Sequence, residues 1–136
     1  MNVNVFELDD RLRTDTVHIA DIGLCQLRLM NDRRWRWLIL VPQRPGISEP
    51  FELAPLDQAL LTFETNLVAS ALRKVAEADK INIAAIGNVV RQLHVHIVAR
   101  YEGDANWPRP VWGFGTPEPY DESEAVAFAK VILDSI

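Results

Sequence analysis

The sequence predicts an α+β fold built on a largely antiparallel sheet, and three observations carry that prediction. Short apolar segments precede and follow one long amphipathic stretch, so the order is strands, a helix, more strands and a closing helix rather than strand-helix alternation. The hydrophobic period changes from two to about 3.6 at Pro55 and returns to two near Lys80. From 92 to 98 the run Gln-Leu-His-Val-His-Ile-Val alternates polar and apolar residues, as a strand with two unlike faces does.

Val17 to Ala20 reads as a short strand. Leu24 to Met30 sets Leu24, Gln26, Arg28 and Met30 against Cys25, Leu27 and Leu29, which predicts a second one. Asn31-Asp32 marks a turn, and the aromatic and aliphatic stretch Trp35 to Pro42 forms a third strand, paired with the second across the polar 31–34 loop. Pro42, Pro45 and Gly46 then stop both helix and strand. From Pro55 to Glu77 the residues Leu56, Leu60, Phe63, Leu67, Val68, Ala71, Leu72 and Val75 recur at helical spacing over about six turns. Lys80 to Ile86 returns to strand character, Gly87-Asn88 interrupts it, and Gln92 to Arg100 is a strand that pairs with or neighbours it. The Pro-rich aromatic segment 107–113 is a loop, and Asp121 to Leu133 closes the chain as an amphipathic helix. The long helix should cover one face of the sheet and leave the face bearing Gln92, His94 and His96 open to a ligand.

The chain has 136 residues, which fits one domain spanning 1–136 with a core that needs no disulfide or structural metal. A formal net charge of −5 supplies no general basic field, so nucleic acid is not an expected partner and any phosphate must be held by local groups. Cys25 is the only cysteine, which excludes an intramolecular disulfide and a four-cysteine zinc site and suits the cytoplasm. Met1 to Asp10 is acidic rather than signal-like, and no apolar run approaches the roughly 20 residues of a membrane span, so no membrane partner is expected.

Chemistry concentrates at Gln92, His94 and His96. A nucleophilic histidine needs one ring nitrogen free and the other held by a hydrogen bond that fixes the tautomer, and His94 at the centre suits that role. His96 on the same face would meet a leaving-group or phosphoryl oxygen, and Gln92 could donate its amide there. Gly87-Asn88 offers a close backbone approach and a short amide, although Asn after Gly is also ordinary turn chemistry. Two imidazoles on a strand could instead begin a zinc site, but His18, Cys25, Asp32 and Glu102 are only guesses at a further ligand, and no metal or cofactor is expected. Arg33, Arg34 and Arg36 among Trp35 and Trp37 have the composition of a nucleic-acid patch, but alternation puts both tryptophans on one face, where core packing explains them. Trp107 and Trp112 either close over a bound base or seal the sheet edge.

The segment from Asn88 to Val98, Asn-Val-Val-Arg-Gln-Leu-His-Val-His-Ile-Val, resembles the signature of the histidine triad (HIT) nucleotide hydrolases and transferases, Q-x-V-x-H-x-H-x-H followed by two apolar residues. Val90, His94, His96, Ile97 and Val98 match; Asn88 stands where Gln is usual, and Gln92 stands at the first histidine. The likeness extends from Leu24 to Arg100 and includes 29–42 as a ribose-side hairpin. It implies a five-stranded antiparallel sheet with one long central helix and a C-terminal helix, and a homodimer. The implied substrate is a dinucleoside polyphosphate, such as diadenosine tetraphosphate, or an adenosine phosphoramidate. It further implies that His94 attacks the α-phosphorus to form a nucleotidyl-histidine, that His96 assists, that Asn88 and Gln92 meet phosphate, and that Asn31 and Asp32 meet the ribose. A nucleotide-binding regulatory protein with little catalysis is the alternative, since the first imidazole is replaced.

Overall fold

The computed structural model describes residues 5–136; residues 1–4 of the acidic N-terminal stretch lie outside them. A short helix α1 (Asp10–Asp15) leads into the strands β1 (Thr16–Ile22), β2 (Cys25–Met30) and β3 (Trp37–Pro42). The long helix α2 (Pro55–Ala76), the strands β4 (Lys80–Ala84) and β5 (Val95–Arg100), and the helix α3 (Glu122–Asp134) follow. The five strands form one sheet in the order β1-β2-β3-β5-β4, with every neighbouring pair antiparallel. The α+β sheet expected from the sequence is therefore present. Among the described residues no helix is long and apolar enough to cross a membrane.

The sheet is covered on both faces. Leu27, Leu29, Leu38, Leu40, Val95 and Ile97 pack beneath α2 and α3, against Leu61, Val68, Leu72, Phe128 and Ile132. On the other face Trp35, Trp37, Ile39, Val41 and Val98 meet Leu8 and Leu12 of the N-terminal segment and Val111 of the 101–120 loop. That face is not open, which corrects the expectation of an exposed histidine surface. The reason lies in β3, whose six residues are all buried: a strand apolar on both sides needs cover on both.

Helix α1 was not foreseen. It is six residues long with one buried apolar residue, Leu12, but it carries a start signal: the Asp9 side chain accepts a hydrogen bond from Arg11 N at 2.8 Å. Helix α2 starts on Pro55, whose missing N–H costs nothing in a first turn, and ends at Glu77 in the left-handed conformation, where Arg73 O accepts from Glu77 N and Ala78 N. Its buried stripe differs from the expected one. Leu56 and Phe63 point outward, 81% and 62% exposed, while Leu61 and Glu64 turn in. The Glu64 carboxylate is satisfied there because it accepts from Leu24 N at 2.7 Å and Cys25 N at 3.0 Å, two donors of the β1–β2 turn. Gly23 at that turn has φ +53°, and a Cβ on it would lie 2.5 Å from Glu64 Oε2, so the turn requires glycine.

Candidate active site

The histidine ladder begins later than expected, at Val95, because Leu93 N bonds Ile47 O outside the sheet and draws 92–94 away from β4. The alternation survives this bend. Leu93 joins the core under α2, whereas His94 and His96 lie on the opposite side, with His96 in one row with Ile39 of β3 and Ala84 of β4. Both histidines are buried, 6% and 5% exposed, and their rings meet edge to face with centroids 4.8 Å apart.

Each ring is held at one nitrogen. His94 Nδ1 lies 2.7 Å from the carbonyl oxygen of Gln92; a carbonyl only accepts, so Nδ1 carries the proton and Nε2 keeps its lone pair in the neutral ring. His96 Nδ1 is bonded to Trp37 Nε1 at 3.0 Å, and the Trp112 ring stands against it with centroids 5.0 Å apart. Burial first, and then the neighbouring His94, push the His96 pKa down to about 3, so His96 is uncharged at neutral pH.

Gln92 is placed beside His94, but its side chain faces the N-terminal segment. Oε1 accepts from Asp9 N and Nε2 donates to Glu7 O, each at 2.8 Å. Asn88 is exposed in the bend after Gly87. Gln92 and His94 line a small pocket of about 20 Å³ together with Gly87, Arg91 and Ser48. Arg91 was not singled out from the sequence, yet it stands next to the triad and makes no ion pair among the described residues.

Asn31 and Asp32 line a different cavity, of about 650 Å³, walled by Arg34, Trp37, Trp112 and Phe114. Asn31 Oδ1 accepts from Tyr120 N at 2.9 Å. Asp32 is 2% exposed and forms an ion pair with Arg34 at 2.7 Å. Burial works against its charge, but hydrogen bonds from the Arg34 side chain and from the Glu118 and Arg34 amides outweigh it and hold the carboxyl below the usual carboxylate range. Trp37 and Trp112 join the two sites, since both line the larger cavity and both touch His96. Trp112 Nε1 is a buried donor with no partner among the described residues. Trp35 and Trp37, 3% and 6% exposed, are packed as expected rather than offered to bases.

Three of the side chains considered as further zinc ligands are engaged elsewhere. His18 bonds Asp21, Cys25 is fully buried on the α2 face, and Asp32 holds Arg34. No group of three or more His, Cys, Asp or Glu side chains suited to a metal ion comes together among the described residues.

A family model described as the HIT domain matches residues 11–103. Three solved histidine triad proteins resemble the chain over nearly its whole length. One from Sinorhizobium meliloti 1021 is 64% identical, covers 96% of this chain and 97% of its own, and superposes with a TM-score of 0.95. One from Bradyrhizobium japonicum is 43% identical over 97% of this chain and 98% of its own, with a TM-score of 0.95. The third, from Marinobacter aquaeolei VT8, is 39% identical over 97% and 99%, with a TM-score of 0.92. Comparison with curated proteins gives no match.

Proposed function

The chain belongs to the HIT domain family, and from that premise we propose that it hydrolyses a phosphoanhydride or phosphoramidate bond at the α-phosphorus of a dinucleoside polyphosphate or an adenosine phosphoramidate. The observation that carries the reading is the hydrogen bond between His94 Nδ1 and the Gln92 carbonyl. It fixes the tautomer in which Nε2 is free to attack, and it comes from the main chain, so it does not require an imidazole at position 92. Attack forms a bond between Nε2 and phosphorus and breaks the bond from phosphorus to the leaving group; a leaving oxygen departs as its anion, and a leaving nitrogen takes a proton from solvent. Water then cleaves the nucleotidyl-histidine, giving the nucleoside monophosphate and free His94. His96 supports the departing or phosphoryl oxygen.

Asn31 and Asp32 are the proposed ribose contacts, and the cavity they line, with its aromatic walls, suits a nucleoside. Asn88 and Gln92 are the proposed phosphate contacts; the Gln92 amide would have to exchange its two main-chain partners for a phosphate oxygen. The proposed assembly is a homodimer formed through the free edge of β4, where Ile83 is 49% exposed, and the outward residues Leu56 and Phe63 of α2.

The test is release of AMP from diadenosine tetraphosphate and adenosine phosphoramidate by the parent and by His94→Ala. A fall of about 10³-fold or more in a folded variant is expected, together with a nucleotidyl adduct trapped on the parent alone by an alkaline denaturing quench, which preserves the acid-labile P–N bond. Near-parental rates in the variant would sink the proposal. The replacement of the first imidazole by Gln92 favours one other reading, a nucleotide-binding protein with little catalysis. It requires no release by the parent and nucleotide affinity that survives His94→Ala.

A further inference from the structure

Trp37 reads in the sequence as packing, yet its indole nitrogen reaches His96 Nδ1 at 3.0 Å. An indole N–H only donates, so Nδ1 must accept and the one proton of the neutral ring sits on Nε2. Moving that proton to Nδ1, or adding a second there, would break the bond and set two N–H groups against each other. Nothing on the neighbouring elements offers compensation. The rings around His96 are those of His94, Trp37 and Trp112, and its row neighbours on β3 and β4 are Ile39 and Ala84. No carboxylate pairs with it among the described residues. Trp37 is itself held, 6% exposed, between Trp35 and Trp112 with centroids at 6.2 and 5.9 Å.

We infer that Trp37 is a positioning residue that locks His96 as an uncharged Nε2–H donor, so that His96 serves the reaction by hydrogen-bonding an oxygen rather than by acting as an imidazolium acid. The identity of that oxygen, on the phosphoryl or the leaving group, rests on the nucleotide-hydrolase reading; the tautomer rests on the Trp37 bond alone. Burial among apolar rings acts in the same direction, because it disfavours the charged form. The two triad imidazoles then hold opposite tautomers. His94 is protonated at Nδ1 by virtue of a carbonyl acceptor, and His96 at Nε2 by virtue of an indole donor. Neither partner titrates.

Long-range ¹⁵N–¹H spectra of the imidazole rings test this with the parent protein, whether or not it turns over. The expected result is a His96 that stays Nε2–H and does not titrate between about pH 5 and 8. Trp37→Phe keeps a ring and removes the donor. It should give mixed tautomers and protonation entering the acid end of that window, with kcat for AMP release down about tenfold and KM within about twofold. The acid limb of its rate profile should move upward. Trp37→His, which restores a ring N–H, should return the Nε2–H signal. An Nδ1–H or doubly protonated His96 in the parent overturns the inference without any variant, and so does an unchanged His96 spectrum in folded Trp37→Phe. Absence of turnover by the parent would overturn the hydrolase reading and leave the tautomer to be decided by the same spectra.

Discussion

Replacing Gln92 by Ala asks what the side chain at the first triad position does. Its amide makes two 2.8 Å bonds to the main chain, accepting from Asp9 and donating to Glu7, residues more than 80 positions away. Each bond contributes about 1 kcal/mol net, so Gln92→Ala should destabilise the protein by about 2 kcal/mol. For a chain of this length that corresponds to a melting temperature lower by roughly 6–8 °C. The loss should be local as well as global: the amide of Asp9, the residue whose side chain caps α1, should exchange faster by hydrogen-exchange mass spectrometry. Gln92→Glu separates the two bonds, because a carboxylate still accepts from Asp9 N but sets an oxygen against the Glu7 carbonyl. Turnover should fall as well, by about tenfold in both variants, because the amide is a proposed phosphate contact even though the backbone carbonyl that orients His94 is untouched. Unchanged melting and unchanged Asp9 exchange in Gln92→Ala would refute the reasoning. Turnover within about threefold of the parent in stably folded variants would show instead that the amide serves only the N-terminal segment and does not meet the phosphate.

Acid should destabilise the protein through two aspartates. Asp104 is paired with the fully buried Arg100 at 2.7 Å; burial works against its charge, but the Arg100 hydrogen bonds, the Tyr101 amide and the Arg100 charge hold its carboxyl low, as Arg34 does for Asp32. Both carboxyls have lower pKa values folded than unfolded. Their contribution is therefore complete above the unfolded value near about 3.9 and lost as pH falls through the folded values. Urea unfolding should show stability that is level from about pH 8 to 5 and falls below about 4. Asp104→Asn should flatten that fall, and an equally steep fall in the variant would count against it. At the β4 edge, Ile83→Lys should turn a dimer into a folded monomer by sedimentation velocity; a parent that already sediments as a monomer would remove the proposed interface.

What could be read from the sequence was what a single segment determines. The alternation of Gln92, His94 and His96 against Leu93, Val95 and Ile97 assigned the faces of β5, even though the ladder starts only at Val95. Pro55 and a helical period placed α2 almost to the residue. The inward face of α2 was less legible, because Glu64 is buried to satisfy two amides 40 and 39 residues away, and no local pattern records that need. The covered histidine face did leave a sign: Trp37, Ile39 and Val41 on one side of β3 and Leu38 and Leu40 on the other demand two covering layers. The covers themselves, a six-residue helix and an irregular loop, carry too few apolar residues to announce themselves.

That cover decides how the site can work. Two imidazoles 4.8 Å apart in a buried space would repel each other if both were charged. The chain assigns the neutral protons by fixed partners, a carbonyl for His94 and an indole for His96, and so on the proposed mechanism it separates a nucleophile from a donor without using a third titrating ring. The pocket of about 20 Å³ beside His94 is far smaller than the cavity of about 650 Å³ lined by Asn31 and Asp32, so on the proposed mechanism a phosphate meets Nε2 with the pocket walls close around it. Arg91 and Gly87 stand in those walls on the exposed connection between β4 and β5, outside the sheet ladder. That connection is separate from β3, which carries Trp37, so on the proposed mechanism the wall beside His94 and the partner that fixes His96 belong to different parts of the fold.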